Sequence, residues 1–221
     1  MIQLNIPFLS TIDSLSDLQE VSLLMDLQNK HAIGATPWAS YPYQPKVNFN
    51  ISHGVDCIFL KYYVKENSIR ALHRKINSPV YTDTCVEFFI GFGNETAYYN
   101  FEFNCMGTCQ AGYGANRENR HLLAETVIRN ISCLPYLKHI TGNFSIYWEL
   151  TLIIPFGVFQ HHNVSSLANT VCRMNFYKCG DELPVPHYLA WNTIVSNEPN
   201  FHLPQFFGVG YFTDITDQLS V

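Results

Sequence analysis

From Lys46 onward the chain alternates apolar and polar positions. Val47, Phe49 and Ile51 fall on one side and Asn48 and Asn50 on the other, the two-residue period of a half-buried strand. His53-Gly54 then turns the chain into a partner strand, Ile58 to Val64. Cys85 to Phe92 and Tyr98 to Cys105 make a second pair, joined by Gly93-Asn94-Glu95-Thr96, a set of residues suited to a hairpin turn. Further strands are predicted over Phe144 to Ile154, Val171 to Lys178, Tyr188 to Ile194 and Phe206 to Phe212, with Leu122 to Ile131 as an additional candidate. Ahead of them, Leu18, Val21 and Leu24 recur at helical spacing behind Ser16, a candidate N-cap. The prolines of Pro37 to Pro45 exclude helix and central strand and predict an ordered aromatic loop. Eight or more strands without alternating long helices predict an all-β fold, a two-sheet β-sandwich of jelly-roll-like or immunoglobulin-like architecture with a short N-terminal helix. One domain is expected over residues 1–221, with the helix and aromatic loop of residues 1–45 packed on it.

Composition narrows the partners more than the fold. The chain has 221 residues, 47% hydrophobic and 14% charged, with 13 Tyr, 16 Phe and 3 Trp. Such an aromatic load suits strands and also offers flat faces to a ligand. A net charge of −5 argues against a nucleic-acid backbone or an anionic membrane as partner. No segment approaches the roughly 20 apolar residues of a membrane span. The N-terminus as written shows no export signal, which places the chain in the cytoplasm, or in the periplasm or outside the cell if a leader has been trimmed. Sequons such as those at Asn94 and Asn143 then read as chance. Seven cysteines form no dense framework, so reduced, buried thiols are expected, with one or two disulfides as the alternative.

Several side chains are placed to do chemistry. Asn100, Glu102 and Asn104 alternate with Phe101, Phe103 and Cys105, so one face of that strand presents three groups able to bond hydroxyls, or else a solvated outer face. Glu87 shares a face with Cys85 and Phe89; in apolar surroundings its carboxylate needs a sugar hydroxyl, a Ca2+ ion or an internal cation. Arg117 and Arg120 follow the glycine-rich turn that holds Tyr113. Lys178, Asp181 and Trp191 lie in the densest polar and aromatic stretch. His161-His162 reads as surface, and no nucleophile elbow, phosphate loop or zinc-protease motif is present.

Asp83-Thr84-Cys85-Val86-Glu87-Phe88-Phe89-Ile90, Tyr98 to Asn104, Asn175 to Asp181 and Asn200 to Gly208 together resemble carbohydrate-binding module family 9, in particular a stand-alone branch common in gut Bacteroidetes. The resemblance implies a β-sandwich that binds sugar chain ends between two aromatic rings and carries structural Ca2+, with no cofactor required for binding itself. Trp191 falls where the family's second stacking Trp stands, and Tyr81 where the first stands, a smaller platform. Glu87 matches a Glu that helps bind sugar hydroxyls, whereas Glu102 stands where xylanase-linked members carry Arg.

The expected activity is therefore non-catalytic binding of an oligo- or polysaccharide, associated with breakdown of xylan or another plant glycan and with a partner glycosidase. Tyr81, Glu87, Glu102, Asn104, Tyr113, Arg117, Lys178, Asp181 and Trp191 are the expected ligand-binding residues. Two alternatives stand beside it. One is a glycoside hydrolase built on Glu87, Glu102 or Asp181. The other is an assembly domain whose aromatic loop, Trp38 to Tyr43, docks a protein.

Overall fold

A computed structural model describes residues 1–140 and 145–214. Asn143 and Phe144, which carry one sequon and the predicted start of a strand, lie outside the described residues. The strands are β1 (Gln3–Ile6), β2 (His31–Ala32), β3 (Lys46–His53), β4 (Cys57–Glu66), β5 (Cys85–Phe92), β6 (Tyr98–Asn104), β7 (Cys109–Gly114), β8 (Arg120–Leu122), β9 (Ser132–Ile140), β10 (Ser145–Pro155), β11 (Thr170–Cys179), β12 (Tyr188–Ala190) and β13 (Gly208–Phe212). They form two sheets. The larger runs β1-β13-β11-β5-β6-β7-β8, with β12 also on β11; the smaller runs β2-β3-β4-β10-β9. Pairing is antiparallel except between β1 and β13. The all-β sandwich expected from the alternation is what forms, and no described helix is long and apolar enough to cross a membrane.

The alternation assigns the faces. Val47, Phe49 and Ile51 of β3 and Leu60, Tyr62 and Val64 of β4 meet Val86, Phe88 and Ile90 of β5 and Phe101 and Phe103 of β6 in one core. Phe49 stacks on Phe176 of β11 across the gap with ring centroids 3.8 Å apart, and Phe176 stacks on Phe88 at 5.1 Å. Each ring of this size removes on the order of 150–250 Å² from water, so three rings in one stack tie the sheets together. The outer face of the larger sheet carries a second apolar cluster, Cys85, Phe89, Tyr98, Tyr177 and Cys179, covered by Trp38, Val80, Ile194, Phe201 and Phe207 from loops. The sheet is thus covered on both sides.

Helix α1 (Leu18–Asp26) closes the outer face of the smaller sheet by burying Val21 and Met25 beside Phe59 and Ile153. Its cap is Asp17, whose side chain accepts from the N–H groups of Gln19 and Glu20. Ser16 instead bonds Asp13. At the other end Asp26 contacts Lys61 at 2.8 Å and the Tyr63 hydroxyl at 2.7 Å. The expected strand over Leu122 to Ile131 is replaced by the short β8 and a one-turn helix, α2 (Glu125–Ile128), because Leu123, Val127 and Ile128 reach the core together only at helical spacing.

Two expected ligand residues belong to the interior. In β11, Lys178 shares its parity with Met174 and Phe176 and points between the sheets. There its ammonium lies 3.2 Å from Glu66 and 2.7 Å from His187 Nε2, and Trp148 donates to Glu66 at 2.6 Å. Burial and the Lys178 charge hold His187 down to about 3, so it stays neutral and accepts from Lys178. Trp191 is 6% exposed. Its main-chain N–H donates to the Phe176 carbonyl and its ring packs edge-on against Phe49 and Phe176. Gly208 makes room for that ring, since a Cβ there would lie 2.4 Å from it.

Three expected outcomes follow, all read by urea unfolding. Lys178→Met leaves Glu66 as an uncompensated buried charge and lowers stability by about 3–5 kcal/mol. Trp191→Ala opens a cavity between the sheets and costs about 3–5 kcal/mol. For Asp26, burial raises the carboxyl, but hydrogen bonds from Lys61 and Tyr63 and the charges of Lys61 and Lys30 bring it below its ordinary 3.8. A depressed folded pKa contributes stability above the unfolded value that disappears as pH falls through the folded one. Asp26→Asn is therefore less stable than the parent at pH 7, and the difference closes below about pH 4.

Candidate functional site

The outer face of the larger sheet holds a cleft of about 470 Å³, counting the space open to solvent. Its floor is built by strand parity. Outward-facing Glu87 of β5 is the direct cross-strand neighbour of outward-facing Glu102 of β6, and Cys179 of β11 opposes Cys85 of β5. Tyr81, from the turn Val80–Thr82, and Tyr188 of β12 supply aromatic walls, with Phe201 beside them. Asp181, Arg117, Arg120, Pro199, Asn200 and His202 complete the lining. The loops are fixed by main-chain bonds: Asp181 N–H to the Tyr81 carbonyl, Glu182 N–H to the Thr82 carbonyl.

The floor is unusually acidic for its depth. Glu87 and Glu102 are 3% and 2% exposed. Burial first, and for Glu87 the facing Glu102 carboxylate next, push both carboxyls above the ordinary range. Glu102 Oε1 accepts from Asn100 at 2.9 Å and from Arg120 at 3.0 Å, whereas its buried Oε2 has no hydrogen-bond partner. The carboxylate of Glu87 accepts from the Cys179 thiol at 3.2 Å. Burial lifts Asp181 to about 6 against the pull of Tyr188 and Arg117. His202 is held down to about 3 by burial and by Arg120 and Arg117. The neutral ring therefore accepts from Arg120 at Nε2 (3.1 Å), which leaves the proton on Nδ1 to donate to the Tyr98 hydroxyl at 2.8 Å. The cleft thus brings together donors, acceptors and aromatic faces.

Tyr81, Glu87, Glu102, Arg117 and Asp181 of the expected set meet in this cleft. The other four do not line it. Lys178 and Trp191 point between the sheets, as described above. Asn104 faces outward but spends its amide on the His73 carbonyl and Asp83 and accepts from Met106 and Thr108 N–H groups, closing loops. Tyr113 stacks on His161 at 4.1 Å and bonds Glu95. Arg120, Cys179, Tyr188, Pro199, Asn200, Phe201 and His202 are the lining residues absent from the expected set. Strand parity signals Tyr188, which alternates with the buried Leu189; Phe201 and His202 lie in an irregular loop where no period operates. The aromatic loop is also spent internally. Trp38 is buried, donates to the Ser196 carbonyl at 3.1 Å and packs on Tyr188 and Phe201, so it backs the cleft wall instead of offering a free docking patch.

All seven cysteines are free thiols. Calcium, implied by the resemblance, takes six to eight oxygen ligands. Among the described residues, the cluster of potential ligands is Cys85, Glu87 and Cys179, two thiols and one carboxylate, which does not fit that ion.

No curated protein matches the chain. Among solved structures, it is similar to a protein from Bacteroides uniformis ATCC 8492 that is provisionally described as carbohydrate-binding, with 35% identity, a TM-score of 0.88, and 95% of this chain and 98% of that chain covered. It also shares its fold with a carbohydrate-binding module family 9 protein from Caldicellulosiruptor kristjanssonii. The structure in complex with cellotriose has 11% identity and a TM-score of 0.61 over 100% of this chain and 98% of that one. The structure in complex with glucose has 12% identity and a TM-score of 0.58 over the whole of both chains. The family model of carbohydrate-binding family 9 matches residues 17–212, and the chain belongs to that family.

Proposed function

We propose that this protein is a non-catalytic carbohydrate-binding module and that its sugar site is the cleft between Tyr81, Tyr188 and Phe201. The observation that carries this reading is the buried, unpartnered Glu102 Oε2 among aromatic walls. A buried acceptor without a donor costs about 1–3 kcal/mol, and a sugar hydroxyl entering the cleft supplies that donor. Hydroxyls both donate and accept, so they suit carboxylates on the floor and guanidinium groups of Arg117 and Arg120 at the side. The apolar C–H face of a pyranose suits the tyrosine rings. Family membership and the cellotriose and glucose held by fold neighbours support the same ligand class. A place in polysaccharide breakdown beside a partner glycosidase belongs to this reading.

Hydrolysis fits the geometry less well. A nucleophile and acid flank the scissile bond from opposite sides at roughly 5–9.5 Å, whereas Glu87 and Glu102 are side-by-side neighbours on one sheet surface. Burial, and for Glu87 the facing Glu102 carboxylate as well, holds both carboxyls above the ordinary range, which disfavours the ionised nucleophile.

Isothermal titration calorimetry against glucose, cellotriose, xylotriose and a wider glycan panel, with and without added calcium, tests the proposal. At least one neutral sugar binds the parent; Tyr81→Ala and Glu102→Gln each weaken it by about tenfold or more, equivalent to about 1.4 kcal/mol, with unchanged circular dichroism. Absence of heat across the panel, or variants that bind as the parent does, would overturn it.

A further inference from the structure

We propose that Cys85, Cys179 and Glu87 form a binding site for a soft divalent cation of the zinc type in the floor of the cleft. Cys85 and Cys179 are direct cross-strand partners on β5 and β11, and Glu87 follows two residues along β5 on the same face. One ligand atom from each residue lies within 4.8 Å of the other two. Tetrahedral zinc bonds sulfur at about 2.3 Å and carboxylate oxygen at about 2.0–2.2 Å, which puts neighbouring ligand atoms roughly 3.5–3.8 Å apart. A contraction of about an ångström or less, within reach of side-chain rotation, closes the site.

Two independent features point to a cation there. The Glu87 carboxylate is 3% exposed, yet the guanidinium nearest the floor, that of Arg120, is engaged by Glu102 and His202. The contact Glu87 makes is instead with the Cys179 sulfur, at 3.2 Å. The second feature is access. Cys179 and Glu87 line the cleft, so an ion has an entry path and a fourth position open to water. Three protein ligands with one open position is the pattern of a reactive zinc site, whereas four protein ligands make a closed structural one. Thiol ligands select zinc-type cations over calcium or magnesium. Loading exchanges the protons of the two thiols, and that of Glu87 where it is protonated, for the metal; they pass to buffer, and nothing is oxidised.

Cobalt(II) tests the site without reference to any sugar. The full chain, reduced and stripped of metal, is titrated with Co2+ and followed by the near-ultraviolet thiolate-to-cobalt charge-transfer absorption. The expected result is saturation at one equivalent and displacement by Zn2+. Cys179→Ser and Cys85→Ser should weaken binding by at least about a hundredfold, and Glu87→Gln by about tenfold or more. Cys133→Ser, a half-buried thiol outside the cluster, leaves the titration unchanged, and circular dichroism confirms that each variant is folded. No charge-transfer band in the reduced parent, a band that survives Cys85→Ser/Cys179→Ser, or a band lost in Cys133→Ser overturns the assignment. So does a Cys85–Cys179 disulfide that persists under reduction. Cobalt uptake without glycan binding, or the reverse, separates this site from the sugar reading.

Discussion

Every residue of β5 and β6 is buried. The larger sheet lies between the smaller sheet on one side and a cap of loops on the other, and this two-sided burial governs where polar groups can go. A polar side chain on either strand or on the adjoining part of β11 must be paired within the protein or turned toward a ligand. Lys178 takes the first course on the inner side, through Glu66 and His187. On the outer side, Glu102 is half paired and Glu87 leans on a thiol. The ion pair between the sheets is also backed by Trp148.

The cap gives the cleft its shape. Tyr177 stacks flat on Phe201 with centroids 4.2 Å apart, and its hydroxyl bonds the Phe201 carbonyl. Trp38 packs on the same residue with ring centroids 5.8 Å apart. The wall is therefore anchored to the sheet by stacking and hydrogen bonding, and the aromatic surface facing the cleft stays in place without a ligand. Preorganisation of this kind spares a bound molecule the entropy of ordering its site. The network from Glu102 through Arg120 and His202 to Tyr98 fixes one side of the same wall by hydrogen bonds.

The strand alternation determined much of this from the sequence alone. Val47, Phe49 and Ile51, or Phe101 and Phe103, announce a face that must be buried, and Asn100, Glu102 and Asn104 announce the opposite face, because the two-residue period is a local property of extended backbone. Applied to β11, the same period places Lys178 with Phe176 and away from Tyr177 and Cys179. Five cleft residues, Tyr81, Glu87, Glu102, Arg117 and Asp181, were accessible in this way or through the family resemblance. Tertiary structure alone decided the rest. Asn104 has the outward parity of a ligand residue, but Asp83 and the loops after β6 reach it first. Trp191 and Tyr188 are both aromatic and three residues apart, yet only the turn after β12 and the space left by Gly208 send Trp191 inward while Tyr188 stays at the cleft. Contacts between segments distant in the chain have no periodic signature, since they depend on which loop arrives at the sheet and on how much room it finds there.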